Sequence, residues 1–240
     1  FAERFNIPVA TTMCAKGDFP ENHRLSLGVF GWAGTAIANE TLMSDDLDCL
    51  IVVGSKLGQI ASMSWSERLH ANRQLIQIDL NTDNLDQTYS ADIAVTSDAG
   101  AAFDYFCALS DQVNSVAKLL DSKQTRQDWL DTLRTKRAWH YDKKYQHANI
   151  DPIHPARAIT ELLSSMPEDT QLFVDNGAHT FFTAHYWQTT LANHYFNIIK
   201  YSGAMGWAIP ASVGAKFSRP DKVTVAVVGD GCMLMQGMEI

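Results

Sequence analysis

Residues 223–231 read Val-Thr-Val-Ala-Val-Val-Gly-Asp-Gly, and this stretch decides the fold class. Every residue before the first glycine is apolar or β-branched, a pattern that predicts a fully buried strand. The strand ends at Gly229, so the Asp230 carboxylate lies between two glycines that let backbone amides approach a ligand. In an open α/β sheet that edge binds phosphates and their metal ions. Taken alone, Gly-Asp-Gly favours the simpler interpretation, a tight turn without a ligand.

The composition indicates a globular protein with one large or two medium domains. Hydrophobic residues make up 46% and charged residues 19% of the 240 residues. The net formal charge of −8 argues against a nucleic-acid partner. No apolar run approaches the roughly 20 residues of a membrane helix, so no membrane partner is expected. Isolated cysteines favour a reducing compartment and predict a cytoplasmic location; they are Cys14, Cys49, Cys107 and Cys232.

Strand and helix patterns alternate along the chain, which predicts an α/β fold of two parallel-sheet, doubly wound units. In the first unit, strands are expected at 7–11, 47–53, 74–79 and 92–95, and helices at 35–43 and 100–109. A further helix is expected at 113–120, at the start of the linker. In the second unit, strands are expected at 172–174, 196–200 and 223–228, and helices at 154–165 and 205–217. The expected domains are 1–112 and 151–240, joined by a helical linker at 113–150.

Three glycine-containing turns of the second unit are expected at one sheet edge. They are the segments 176–179, 202–206 and 229–231, and each leads into a helix, so free N–H groups can face an anion. Asp230 could then ligate a hard cation, with diphosphate oxygens completing the octahedron. Met205, in the second turn, is either a gap-filling core residue or a hydrophobic wedge beneath a bent cofactor.

These motifs carry a family resemblance. Residues 225–231, with Met235 and 239–240, resemble the start of the thiamine diphosphate signature, Gly-Asp-Gly followed at a distance by Asn-Asn. Residues 203–211 resemble the segment just upstream in acetolactate synthase-like members, and 175–179 resemble their turn near the diphosphate. The first unit resembles the central domain of the same family at 16–23, 31–39, 46–55 and 76–79.

The resemblance implies a nucleotide-binding-like central domain followed by the first part of a diphosphate-binding domain. It gives Asp230 the role of a Mg²⁺ ligand, and Met205 that of enforcing the bent cofactor shape. It places His179 near the diphosphate or the reacting carbonyl; the alternative is a partly buried histidine bonded to backbone. The predicted catalytic residues are His179 and Met205. The predicted cofactor-binding residues are Gly177, Ala178, His179, Gly203 (through its carbonyl, to the aminopyrimidine), Ala204, Met205, Gly229, Asp230, Gly231 and Cys232.

The activity that this resemblance implies is that of a thiamine diphosphate- and Mg²⁺-dependent lyase or carboligase. Its substrate would be a 2-oxo acid, and the enzyme a homodimer or homotetramer. The Asn-Asn pair and the glutamate that activates the cofactor are not in this chain, so we expect a fragment that is inert alone. Family members that bind FAD carry an arginine after the glycine matching Gly54, where this chain has Ser55. The alternative function is an ADP- or FAD-binding or regulatory module without catalysis.

Overall fold

The computed structural model describes residues 1–110, 122–199 and 202–239. Within these ranges every strand pairing is parallel and helices separate the strands, which confirms the α/β class. The helix expected at 113–120 lies outside the described residues. None of the described helices is both long and apolar enough to cross a membrane.

The first unit contains two small parallel sheets. One pairs β1 (Val9–Thr12) with β2 (Ser26–Phe30), and the other has the order β3 (Cys49–Val53), β4 (Gln74–Asp79), β5 (Ile93–Thr96). Its helices are α1 (Ala2–Phe5), α2 (Ala36–Leu42) and α3 (Ala99–Leu109). Strand β2 is buried along its whole length but was not predicted, because Ser26 and Gly28 interrupt its apolar pattern.

Helix α4 (Lys123–Lys136) follows the first unit and packs on α2. Its buried side chains are Leu130 and Leu133. Two of its arginines hold it to the first unit: Arg126 donates to the Phe5 carbonyl and Arg134 to the Ser26 carbonyl. The connector is therefore anchored on the first unit.

The second unit is built on one sheet of order β7-β6-β8. Its elements are α5 (Pro155–Ser165), β6 (Gln171–Val174), α6 (Ala178–Tyr186), β7 (Tyr195–Asn197), α7 (Ala208–Ser218), β8 (Thr224–Val227) and α8 (Asp230–Gln236). The central strand β6 is fully buried. The prediction that 223–228 is a fully buried strand is wrong: β8 is half-buried throughout, because in the described part of the chain it pairs with β6 alone.

An apolar cluster joins the two units. Met13, Val29 and Ala33 of the first unit pack with Ala184 of α6, and all of them are buried. Hydrogen bonds also cross this joint. The Asn197 amide donates to the Met13 carbonyl over 3.0 Å, and the His185 Nδ1 lies 2.9 Å from the Gly34 carbonyl oxygen. The edge of the second sheet is therefore packed against the first unit.

A buried ion pair reinforces this joint. The Lys16 Nζ lies 2.6 and 2.7 Å from the two carboxylate oxygens of Glu21, and the side chains are 1% and 3% exposed. The Glu21 carboxylate also accepts from the Thr189 amide of the second unit over 2.7 Å. The ammonium of Lys16 lies 5.3 Å from the centre of the Tyr195 ring. Burial lowers the pKa of Lys16, and the Glu21 carboxylate opposes that shift.

Removing one partner of this pair should destabilise the protein strongly. The Lys16→Met variant leaves the Glu21 carboxylate buried without its cation, which costs about 3–5 kcal/mol of unfolding free energy. Urea unfolding followed by circular dichroism measures the loss.

The double variant Lys16→Met/Glu21→Gln is the matched control. It removes both charges and keeps an acceptor for the Thr189 amide, so we expect it to recover at least half of the loss. If the double variant were as unstable as the single one, the unpaired charge of Glu21 could not be the cause of the lost stability.

Candidate functional site

The three glycine-containing turns meet at the carboxyl edge of the second sheet. The first follows β6 directly at Asp175, the third follows β8 at Gly229, and the second spans residues 202–207 between β7 and α7. Since the three strands are parallel, their carboxyl ends lie at the same edge. The structure thus brings the predicted site residues of all three turns together.

Asp175 joins the first turn to the second. Its side chain is fully buried, with 0% exposure. One carboxylate oxygen accepts from the Asn176 amide over 2.8 Å and the Gly206 amide over 3.0 Å, and the other accepts from the Ala208 amide over 3.1 Å. Charge-assisted hydrogen bonds of this kind offset the cost of burying a carboxylate. Asp175 therefore fixes where the second turn ends and α7 begins.

The resemblance places Asp175 and Asn176 in the turn near the diphosphate, but neither is among the predicted site residues. The available signal was their position directly after a buried strand, within Asp-Asn-Gly. A polar residue there commonly bonds its neighbouring backbone, as Asp175 does with the Asn176 amide. Its bonds to Gly206 and Ala208 join residues far apart in the chain, so no local pattern could reveal them.

Asn176 contacts both of the other turns. Its side-chain amide donates to the Gly203 carbonyl in the second turn. Its own carbonyl accepts from the Cys232 thiol, 3.3 Å away, in α8. Gly203 has a φ of +65°, a left-handed conformation that favours glycine.

The His179 ring lies against the backbone of two turns. A Cβ atom on Gly177 would lie 2.8 Å from the ring, and one on Gly229 would lie 3.2 Å from it, so both positions need a small residue. The Nε2 atom of His179 is buried and has no hydrogen-bond partner in the described part of the chain. Burial lowers the pKa of His179, while the Asp175 charge and a backbone hydrogen bond to Asp175 raise it.

Met205 lies against the third turn. Its terminal methyl is 2.9 Å from where a Cβ on Gly231 would be, so an alanine there would displace it. Met205 is 42% exposed, which argues against a gap-filling core residue. Gly206 beside it has a φ of +89°, and a Cβ there would meet Gln236 at 2.6 Å. The second turn therefore packs closely on α8.

Asp230 is exposed at the start of α8. Its carboxylate makes no hydrogen bond or ion pair with residues of the described ranges. Within those ranges no group of three or more His, Cys, Asp or Glu side chains could hold a metal ion. The remaining predicted residues differ in exposure: Ala178 and Ala204 are exposed, Gly177, Gly203, Gly229 and Gly231 are half-buried, and Cys232 is buried.

At the corresponding sheet edge of the first unit, polar side chains form hydrogen bonds with other residues of the same unit. One Asp79 carboxylate oxygen accepts from the Asn81 amide and the Asn84 side chain, 2.8 and 3.2 Å away. The Gln77 side chain donates to the carbonyls of Ser55 and Asn84. These groups satisfy each other, and no arginine follows Gly54. Ser55 occupies the position at which the resemblance implies an arginine in FAD-binding members.

Two family models match the chain. The one described as "Thiamine pyrophosphate enzyme, central domain" matches residues 1–106, and the one described as "Thiamine pyrophosphate enzyme, C-terminal TPP binding domain" matches residues 175–240. They match the two parallel-sheet units in the expected order. The chain belongs to the thiamine pyrophosphate enzyme family.

Curated relatives match over essentially the whole chain. It is 30% identical to a probable acetolactate synthase large subunit of Methanocaldococcus jannaschii, over 100% of the chain and 39% of the relative. It is 28% identical to the acetolactate synthase isozyme 3 large subunit of Escherichia coli, over 99% of the chain and 40% of the relative. It is also 28% identical to the acetolactate synthase large subunit of Lactococcus lactis, over 100% of the chain and 39% of the relative. The chain thus spans about 40% of the length of these relatives.

Neutralising Asp175 should loosen the second turn. In Asp175→Asn the side chain keeps its shape but loses its charge and one acceptor, so we expect a loss of about 3 kcal/mol in unfolding free energy. The amides of Gly206 and Ala208 should also exchange with solvent faster, which hydrogen exchange measures directly.

Asp169→Asn is the matched control, because Asp169 forms a surface pair with Lys222 in the same unit. Its effect should be small. Unchanged exchange at Gly206 and Ala208 in Asp175→Asn would refute the role given to Asp175.

Proposed function

We propose that the carboxyl edge of the second sheet binds the diphosphate of thiamine diphosphate together with Mg²⁺. The supporting observation is the arrangement of three turns joined through Asp175 and Asn176, with the unpartnered Nε2 of His179 in the first of them. A buried nitrogen without a partner in a polar setting indicates a group that completes its hydrogen bonding with a ligand. The membership of residues 175–240 in a diphosphate-binding domain family supports the same ligand.

Asp230 is the proposed Mg²⁺ ligand within this chain. Mg²⁺ is commonly held by one or two carboxylates plus phosphate oxygens and water, not by an all-protein cage. A single free, exposed carboxylate beside a diphosphate therefore fits this ion better than it fits zinc or calcium. The lack of a larger acidic cluster in the described ranges accords with that chemistry.

The remaining predicted residues would bind and orient the cofactor. His179 and the amides of Gly231 and Cys232 would contact the diphosphate, and the Gly203 carbonyl would accept from the aminopyrimidine. The exposed Met205 side chain would support the bent cofactor from below. Because Gly177 and Gly229 carry no side chain, they would let the backbone come close to the cofactor. When bound, thiamine diphosphate supplies the electron sink for cleaving a bond next to a carbonyl.

For the whole protein we propose an acetolactate synthase-like lyase or carboligase that acts on a 2-oxo acid. The matched relatives are named acetolactate synthase large subunits, and the chain aligns with them across both units. We further propose domains at 1–112 and 151–240 with a linker at 113–150, a homodimer or homotetramer, and a cytoplasmic location in keeping with the isolated positions of the four cysteines in the sequence.

Calorimetry on this chain should separate the proposed function from a nucleotide-binding module. We expect thiamine diphosphate to bind in the presence of Mg²⁺, and ADP, FAD and NAD to bind at least tenfold more weakly. In Asp230→Asn the Kd for thiamine diphosphate with Mg²⁺ should rise at least tenfold, because one metal ligand is lost. Without Mg²⁺ the variant and the original chain should differ little.

Asp221→Asn is the matched control, since Asp221 is exposed in the turn before β8. It should leave the Kd unchanged. Binding of ADP in preference to thiamine diphosphate would favour the nucleotide-binding module. An Asp230→Asn variant with an unchanged Kd would remove Asp230 from the site.

A further inference from the structure

The Gly203 carbonyl already has a partner within the chain. The side-chain amide of Asn176 donates a hydrogen bond to it, across the gap between the first and second turns. A carbonyl oxygen has two lone pairs, so one amide donor leaves room for a second. The position of the Asn176 amide then decides which of the two lone pairs stays free.

Asn176 is held in place by bonds on both sides of its side chain. Its backbone N–H donates to the buried Asp175 carboxylate over 2.8 Å, and its carbonyl accepts from the buried Cys232 thiol over 3.3 Å. These two bonds fix the backbone that carries the side-chain amide. The Gly203 carbonyl belongs to a residue whose φ is +65° and whose N–H donates to the Ile198 carbonyl over 3.1 Å.

The position of Gly203 also leaves little free space. A Cβ atom on Gly203 would lie 3.1 Å from the Asn176 amide nitrogen, so the two residues are in close contact. Both are half-buried. The hydrogen bond is therefore part of the packed edge and not an incidental contact between two exposed groups.

We propose that Asn176 is a positioning residue that aims the second lone pair of the Gly203 carbonyl at the amino group of the aminopyrimidine ring. This inference rests on the proposed function, in which that carbonyl is the acceptor. It adds a residue of the first turn that touches the carbonyl in the second turn, not the cofactor. Its effect should concern the aminopyrimidine half of the ligand and leave the diphosphate half unchanged.

Two ligands that differ at the ring amino group give the test. Oxythiamine diphosphate carries an oxygen in place of that amino group and cannot donate to the Gly203 carbonyl. With Mg²⁺ present, the original chain should bind thiamine diphosphate about tenfold more tightly than oxythiamine diphosphate, the value of one well-aligned hydrogen bond. In Asn176→Ala that preference should shrink to about twofold, while the Kd of inorganic diphosphate with Mg²⁺ should change less than twofold.

A second variant and a control keep the result interpretable. Asn176→Ser retains a shorter donor and should show an intermediate preference. Asn149→Ala changes an exposed asparagine before α5 and should leave all three Kd values unchanged. Thermal unfolding of each variant identifies any loss of folded protein.

Two outcomes would overturn the inference while leaving the proposed function intact. One is an Asn176→Ala variant that keeps the full preference for thiamine diphosphate. The other is a variant that loses affinity for all three ligands equally, which would indicate a structural role. Failure of the original chain to bind thiamine diphosphate at all would instead sink the proposed function, and this inference with it.

Discussion

The buried carboxylate of Asp175 is the constraint on which the candidate site depends. It lies at the end of the central strand β6 and accepts amide hydrogen bonds from Asn176, Gly206 and Ala208. These bonds tie the first turn of α7 and the glycine-rich segment before it to the end of β6. Asn176 then extends the same connection to the third turn through Cys232. The carboxyl edge of the sheet is thus one bonded unit and not three independent loops.

The joint between the two units supports this edge from behind. Helix α6, which carries His179 at its first turn, buries Ala184 against Met13 and Val29 of the first unit. The Lys16–Glu21 pair and its bond to Thr189 hold the loop after β1 in the same joint. The first unit therefore contributes to the site by positioning α6, while its own sheet edge is occupied by the contacts of Gln77 and Asp79.

Much of this could be predicted from the sequence, because parallel sheets have local signals. Strand β4 lies at the predicted residues 74–79, and the three glycine turns could be expected at one edge once the strands were known to be parallel. Strand β2 could not be predicted, since burial by its neighbours outweighs the polar Ser26 and the glycine within it. The half-buried state of β8 reflects which strands pair, a property of the whole sheet. The roles of Asp175 and Asn176 depend on partners about 30 residues or more along the chain.

Amide NMR mapping of thiamine diphosphate with Mg²⁺ tests directly whether the three turns act together as one diphosphate site. We expect the ligand to shift the amide signals of Gly177, Gly206 and Gly231 together, one from each turn, with a single saturation curve. Shifts confined to one turn, or centred on Gly54 and Asp79 of the first unit, would contradict this expectation.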